Sequence, residues 1–248
     1  MWIKYVLALW VLGGLPLWAH AGPSLNVGAF YDYLEGDKST YLKRVFNAGD
    51  STAFVRIQVQ EILYNNDGTS EEVALKPAAD PSIRDGLMAS PTRLIVPAEG
   101  MQGTRLLYLG EREKERYFRV RFVPVMPEKD DEFAVSDEER EAYKTSLSAG
   151  VTVLAGFGTV FFVRPKVTRF ATGTDDSAGS YRLRNDGNSV VVIDEFKDCS
   201  TAAPQDCQPT TKHHILPGRA FDFDKQAGRT YRFTLIEGGD KKPYEVKG

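Results

Sequence analysis

Cys199 and Cys207 stand eight positions apart in DCSTAAPQDC, and His213 and His214 follow in QPTTKHHILPG. Those side chains could close a disulfide or ligate a metal ion. In an oxidising compartment, the default for two cysteines so close is a local disulfide. The metal alternative fits no common zinc spacing, and adjacent histidines rarely converge on one ion. A Cys199–Cys207 disulfide is therefore expected, and no metal. Closing so short a loop adds ~2 kcal/mol, a local staple rather than a scaffold. Other reactive patterns are missing: no G-x-S-x-G elbow, no H-E-x-x-H, no Gly-rich phosphate loop and no dinucleotide fingerprint. His213 and His214 lie in a polar run that reads as a loop leading into a strand, and either could act as a general base, but no motif places a nucleophile or an orienting carboxylate beside them. A carboxylate pair for glycoside hydrolysis stays open, because acids are plentiful. The chain reads as a non-enzyme without a cofactor.

The elements that must position these residues begin after a leader. MWIKYVLALWVLGGLPLWAHA carries Lys4, then an apolar run, then small residues at Ala19 and Ala21. That pattern predicts a secretory signal peptide over residues 1–21. Gly13, Gly14 and Pro16 interrupt the run, which is short for a membrane anchor. The exported chain of about 227 residues suits two β-sandwich domains better than one. A net charge of -3 without a basic stripe argues against nucleic-acid binding, and no later segment predicts membrane embedding.

Strand-like runs recur between turn signals, among them AFVRIQVQEILY, RYFRVRFVPV, SVVVIDEF and TYRFTLIEG, separated by NAGDS, NNDGT and NDGNS. In RYFRVRFV, Phe118, Val120 and Phe122 share one face of an extended strand, and Tyr117, Arg119 and Arg121 share the other. The expected fold is all-β, with two immunoglobulin-like sandwiches set at an angle. Arg164-Pro165-Lys166 marks the expected joint, giving domains 22–165 and 166–248. Residues 126–147 hold eight acids and three bases; they could form a short helix near DEEREAYK, but without a strong apolar face they read better as a mobile loop, either a solvated linker or one that orders on binding.

Directly after that acidic segment comes VTVLAGFGTVFFVRP, residues 151–165. Val151, Val153 and Ala155 alternate, so they share a face. A strand with such a row can be lent to another protein, supplying main-chain hydrogen bonds to an incomplete sheet and side chains to its core. Each buried valine contributes roughly 1.5 kcal/mol. Residues 90–125 together with this run resemble the periplasmic chaperones of the chaperone–usher pilus pathway, in particular the alternate or class 5 branch. The resemblance implies a periplasmic protein whose partners are pilin subunits and an outer-membrane usher. It implies that Val151, Val153 and Ala155 are donated to a subunit, while Thr159, Phe161 and Val163 continue the face into the domain's own core. It further implies a structural ion-pair cluster of Arg105, Glu113 and Arg164. The two basic positions with which such chaperones hold a subunit's terminal carboxylate fall here on Tyr31 and Val160, neither a cation. Arg119, Arg121 and Arg56 are the substitutes the sequence offers. Gly156 and Gly158 predict a bend or bulge, or room for a bulky neighbour. The alternative function is an exported adhesin or carbohydrate-binding protein, although all three tryptophans, Trp2, Trp10 and Trp18, lie in the leader.

Overall fold

The computed structural model describes residues 22–75, 85–148 and 154–248. The expected leader, and with it Val151 and Val153, lies outside the described residues. The first sandwich is built from β1 (Leu25–Asn26), β2 (Tyr31–Leu34), β3 (Thr40–Asn47), β4 (Ala53–Tyr64), β5 (Ser70–Ala74), β6 (Gly86–Ser90), β7 (Arg93–Val96), β8 (Met101–Leu109), β9 (Arg116–Pro124) and β10 (Phe157–Val163). One sheet runs β1-β3-β8-β6. The other runs β2-β10-β9-β4-β5, with β7 also paired to β4.

Alternation decides which side chains close the core. Phe118, Val120 and Phe122 of β9 and Phe161 and Val163 of β10 point inward and are at most 1% exposed. They meet Val45, Leu106 and Tyr108 from the facing sheet. Truncating one buried phenylalanine costs about 3–5 kcal/mol, so this row is a main support of the sandwich. The chain crosses from one sheet to the other between β1 and β2, and a buried charge pair pins the crossing. Lys43 Nζ reaches Asp32 Oδ2 and the Ala29 carbonyl, both at 2.6 Å, and Tyr41 donates to Asp32 Oδ1 at 2.7 Å. Such a pair fixes geometry more surely than it adds stability.

The second sandwich comprises β11 (Thr172–Asp176), β12 (Ser180–Asn185), β13 (Val191–Ser200), β14 (Thr211–Ile215), β15 (Ala220–Asp224), β16 (Arg229–Glu237) and β17 (Asp240–Lys247). Its sheets run β11-β12-β15 and β14-β13-β16-β17, around Leu183, Ile193, Phe233 and Leu235. The Cys199–Cys207 disulfide ties the end of β13 to the chain returning toward β14. His213 and His214 correct the loop expected of them: they sit within β14, in register with Ile193 and Val192.

Residues 126–148 also depart from expectation. In place of a mobile loop there is a 3₁₀ turn at Lys129–Asp131 and a helix, α1 (Asp137–Ser148). Ser136 opens the helix with a capping box: its Oγ accepts from the Glu139 amide, and Glu139 Oε2 accepts from the Ser136 amide. Phe133 and Tyr143 both close edge-on over Phe54 of β4, at 5.3 and 4.7 Å between ring centroids. Arg56–Asp131 and Arg93–Glu132 ion pairs flank this patch. Apart from Asp131 the acids are exposed as expected, but a small apolar cluster beneath them orders the segment.

Candidate functional site: an open strand edge at a cleft

β10 is flanked unequally. It pairs antiparallel with β9 along its whole length, from Phe157↔Phe122 to Val163↔Arg116. On its other side β2 pairs parallel only from Val160↔Tyr31 to Val163↔Leu34. The half at Phe157–Thr159 therefore has an open backbone edge among the described residues. Beside it lie exposed Ala155 and Phe30, the latter 52% exposed with its ring 6.1 Å from that of Phe157. The ladder keeps register through Gly158↔Arg121, so Gly158 produces no bulge, and Gly156 lies just before the strand. Each makes room instead. A Cβ on Gly156 would lie 3.1 Å from the Phe122 carbonyl, and one on Gly158 would lie 3.3 Å from Arg119 Cδ.

The outward face of β10 leads into a cleft between the sandwiches. Val160 and Phe162 pack on Val190 and Leu216 of the second sandwich. Tyr31 stacks on His214 at 4.0 Å, and the Tyr33 hydroxyl reaches His214 Nε2 at 2.9 Å. Burial is the largest cause that pushes His214 down to about 4, with Lys212 nearby adding to it, so the ring is neutral at pH 7. Burial likewise raises the Tyr33 phenol, which stays protonated and shares a hydrogen bond with the neutral imidazole. Arg164 lies between the rings of Tyr33 and Phe170, 5.1 and 5.0 Å from their centroids, and its buried Nε has no hydrogen-bond partner among the described residues. Lys212, paired with Asp194 at 3.0 Å, completes a cleft of about 500 Å³ that also takes in Tyr31, Glu35 and Gly238.

The expected ion-pair cluster is rearranged. Arg164 pairs with Glu35 at 3.4 Å, whereas Glu113 and Arg105 are exposed, Arg105 on the outer face of β8 opposite Leu42. Two residues after Glu113, Glu115 is the buried acid, accepting from Ser189 Oγ at 2.6 Å and the Val190 amide at 2.9 Å. Burial raises its pKa despite those hydrogen bonds. The three substitute arginines are already engaged by the protein's own acids. Arg119 and Arg121 share Glu72, and Arg56 holds Asp131. Burial alone would raise Glu72, but the two arginines outweigh it and hold the carboxyl below its ordinary range. Tyr31 and Val160, the positions without cations, face each other across the β2–β10 ladder at the mouth of the cleft. Sequence reasoning missed Glu115 and Lys212 and gave His214 no place in a cleft, because the partners of such a cleft lie far apart in the chain; Tyr33 and His214 are 181 residues apart.

No family model matches the chain. A curated relative, the "Probable fimbrial chaperone EcpB" of Escherichia coli O157:H7 (strain EC4115 / EHEC), is 27% identical over 225 residues, covering 88% of this chain and 85% of its own. The crystal structure of the class 5 fimbriae chaperone CfaA superposes with a TM-score of 0.53 at 19% identity, covering 91% of this chain and 99% of its own. A structure of the Salmonella enterica SafA pilin in complex with the SafB chaperone gives 0.50 at 12% identity, with 91% and 96% covered. The chain is thus a homologue of the curated fimbrial chaperones named EcpB, and its two immunoglobulin-like sandwiches have the fold of the chaperone–usher fimbrial chaperones.

Proposed function

We propose that the protein is a periplasmic chaperone that binds pilin subunits by donor-strand complementation and delivers them to an outer-membrane usher. The observation that carries this is the half-open β10: backbone groups at Phe157–Thr159 face away from β9 with no strand beside them among the described residues. An incomplete sheet can add itself to such an edge, and the alternate side chains of the donated strand then fill its core. Val151, Val153 and Ala155 are the donated residues, and Thr159, Phe161 and Val163 anchor the strand in its own sandwich, where they are buried. The relatives named as chaperones, and the pilin complex of SafB, support the same assignment. The cleft's exposed cation, Lys212, is the group offered to the subunit's terminal carboxylate, in exchange for its present partner Asp194 and in place of Tyr31 and Val160.

Co-expression in a bacterial periplasm with candidate pilins, followed by affinity pull-down, tests the proposal. A stoichiometric complex with a small β-rich subunit, lost on replacing Val151 and Val153 by aspartate while the fold persists, is the expected result. Capture unaffected by those substitutions would reject the donor assignment. Glycan binding with no subunit recovered would move the protein to the adhesin class.

A further inference from the structure

Arg112, in the loop between β8 and β9, donates to five backbone carbonyls, more than any other arginine described. Its guanidinium donates only to backbone carbonyls: Nε to Arg164 at 3.1 Å, one terminal nitrogen to Gly36 at 3.1 Å and to Lys38, the other to Leu34 at 3.2 Å and Glu35 at 3.0 Å. A guanidinium carries five N–H donors, so the set is complete. The side chain lies 5.6 Å from the Tyr108 ring centroid. Its own backbone closes the tie, because the Arg112 carbonyl accepts from the Lys166 amide at 2.9 Å. Residues 164–166 are therefore held to Arg112 from both sides, and the β2–β3 turn is held to the same group. Gly36 in that turn touches the same segment. A Cβ there would stand 2.5 Å from the Pro165 carbonyl oxygen and 2.8 Å from that of Lys166.

The far end of the connection is held equally closely. Asn188 donates to the Val167 carbonyl at 2.9 Å, and its Oδ1 accepts from the Arg169 amide at 2.7 Å. Thr168 Oγ1 donates to the Pro165 carbonyl at 2.9 Å. Between Arg112 on one sandwich and Asn188 on the other, the connecting segment runs as a bonded strap rather than a free linker.

We propose that Arg112 is the positioning residue of the interdomain joint: by fixing the β2–β3 turn and the Arg164–Lys166 segment to one guanidinium, it sets the angle at which the second sandwich stands over the open edge of β10. The geometric part stands by itself, and its consequence for subunit binding rests on the function proposed above. If the binding-competent angle is populated one-tenth as often without the clamp, the apparent dissociation constant rises about tenfold.

The test places one spin label on each sandwich, at Gln102→Cys and Lys241→Cys, in the otherwise disulfide-paired chain, and measures the distance distribution in the subunit-free protein. Arg112→Gln is expected to broaden or shift that distribution while each sandwich keeps its native methyl NMR spectrum. Arg112→Lys, with three donors for five carbonyls, falls between. Gly36→Ala, which forces the turn, and with it one carbonyl bonded to Arg112, off the Pro165 and Lys166 carbonyls while leaving the guanidinium in the chain, produces a shift of its own. A distribution unchanged in Arg112→Gln overturns the positioning role of Arg112, whatever Gly36→Ala does. A changed distribution with unchanged affinity for a captured subunit overturns the step from angle to binding. A wild type that captures no subunit removes the function proposed above and leaves the angle measurement standing.

Discussion

At the scale of single residues, the cleft is held by two titratable groups whose charged forms its burial disfavours. His214 is lowered to about 4 in the folded protein, while an unfolded chain holds its histidines near 6.5. Below pH 6.5 the unfolded state gains a proton that the folded state refuses until about pH 4, so stability is lost as pH falls through that window. The loss is of order 2 kcal/mol, since the ring is only partly enclosed. Glu115 runs the opposite way, because its raised pKa makes the ionised form costly as pH rises above the ordinary glutamate value. The two are separated by urea titrations of wild type and His214→Asn at several pH values: the advantage of the histidine protein should shrink from pH 7 to pH 4. A constant difference across that range would show that the ring titrates freely. Glu115→Ala leaves the Ser189 hydroxyl and the Val190 amide without their acceptor and should cost about 2 kcal/mol at neutral pH. Glu115→Gln, which keeps one acceptor, should cost less in the same titration.

At the scale of elements, α1 shows what holds a short helix in place. Twelve residues of largely polar sequence are marginal as an isolated helix, so its order comes from docking on Phe54 and from the Ser136–Glu139 box. Phe133→Ala should raise amide exchange across residues 126–148 and leave the β9 and β16 amides as slow as before. Ser136→Ala should cost the helix about 1 kcal/mol and do the same more weakly. Exchange confined to its wild-type level in both variants would mean that the helix stands without the cluster. The same segment explains where the sequence was legible. In β9 and β10 every inward residue obeys one period of two, so Phe118, Val120, Phe122 and Phe161 could be placed from the sequence. In 126–148 the apolar residues belong to two geometries. Phe133 and Val135 come from irregular chain, and Tyr143 and Leu147 lie one helical turn apart, so no single period reveals them. His213 and His214 were hidden for a related reason: the polar residues before them belong to the exposed start of β14, which reads as loop. The cleft was hidden by distance, since alternation says which face a residue takes but not which sandwich will cover it.

At the scale of the whole molecule, the two sandwiches share enough contact to unfold together. Val160 and Phe162 of β10 and Val190 and Leu216 of the second sandwich form one apolar cluster. Glu115, the Tyr33–His214 bond and Arg219, which donates to the Asn66 carbonyl at 2.9 Å, cross the same boundary. The disulfide offers a perturbation far from that boundary, since it closes only the Cys199–Cys207 loop at the end of β13. Reducing it removes ~2 kcal/mol by the loop-closure argument. In a chain of this size that lowers the melting temperature by about 4–8 °C. With the sandwiches coupled, the whole transition moves, and methyl signals of Leu106 in the first sandwich and Leu183 in the second disappear at the same lowered temperature. Separate melting, with Leu183 lost first and Leu106 at its unreduced temperature, would show that the interface transmits little. The strand β10 would then owe its position to its own sandwich alone, and occupancy of its open edge could not be felt across the cleft.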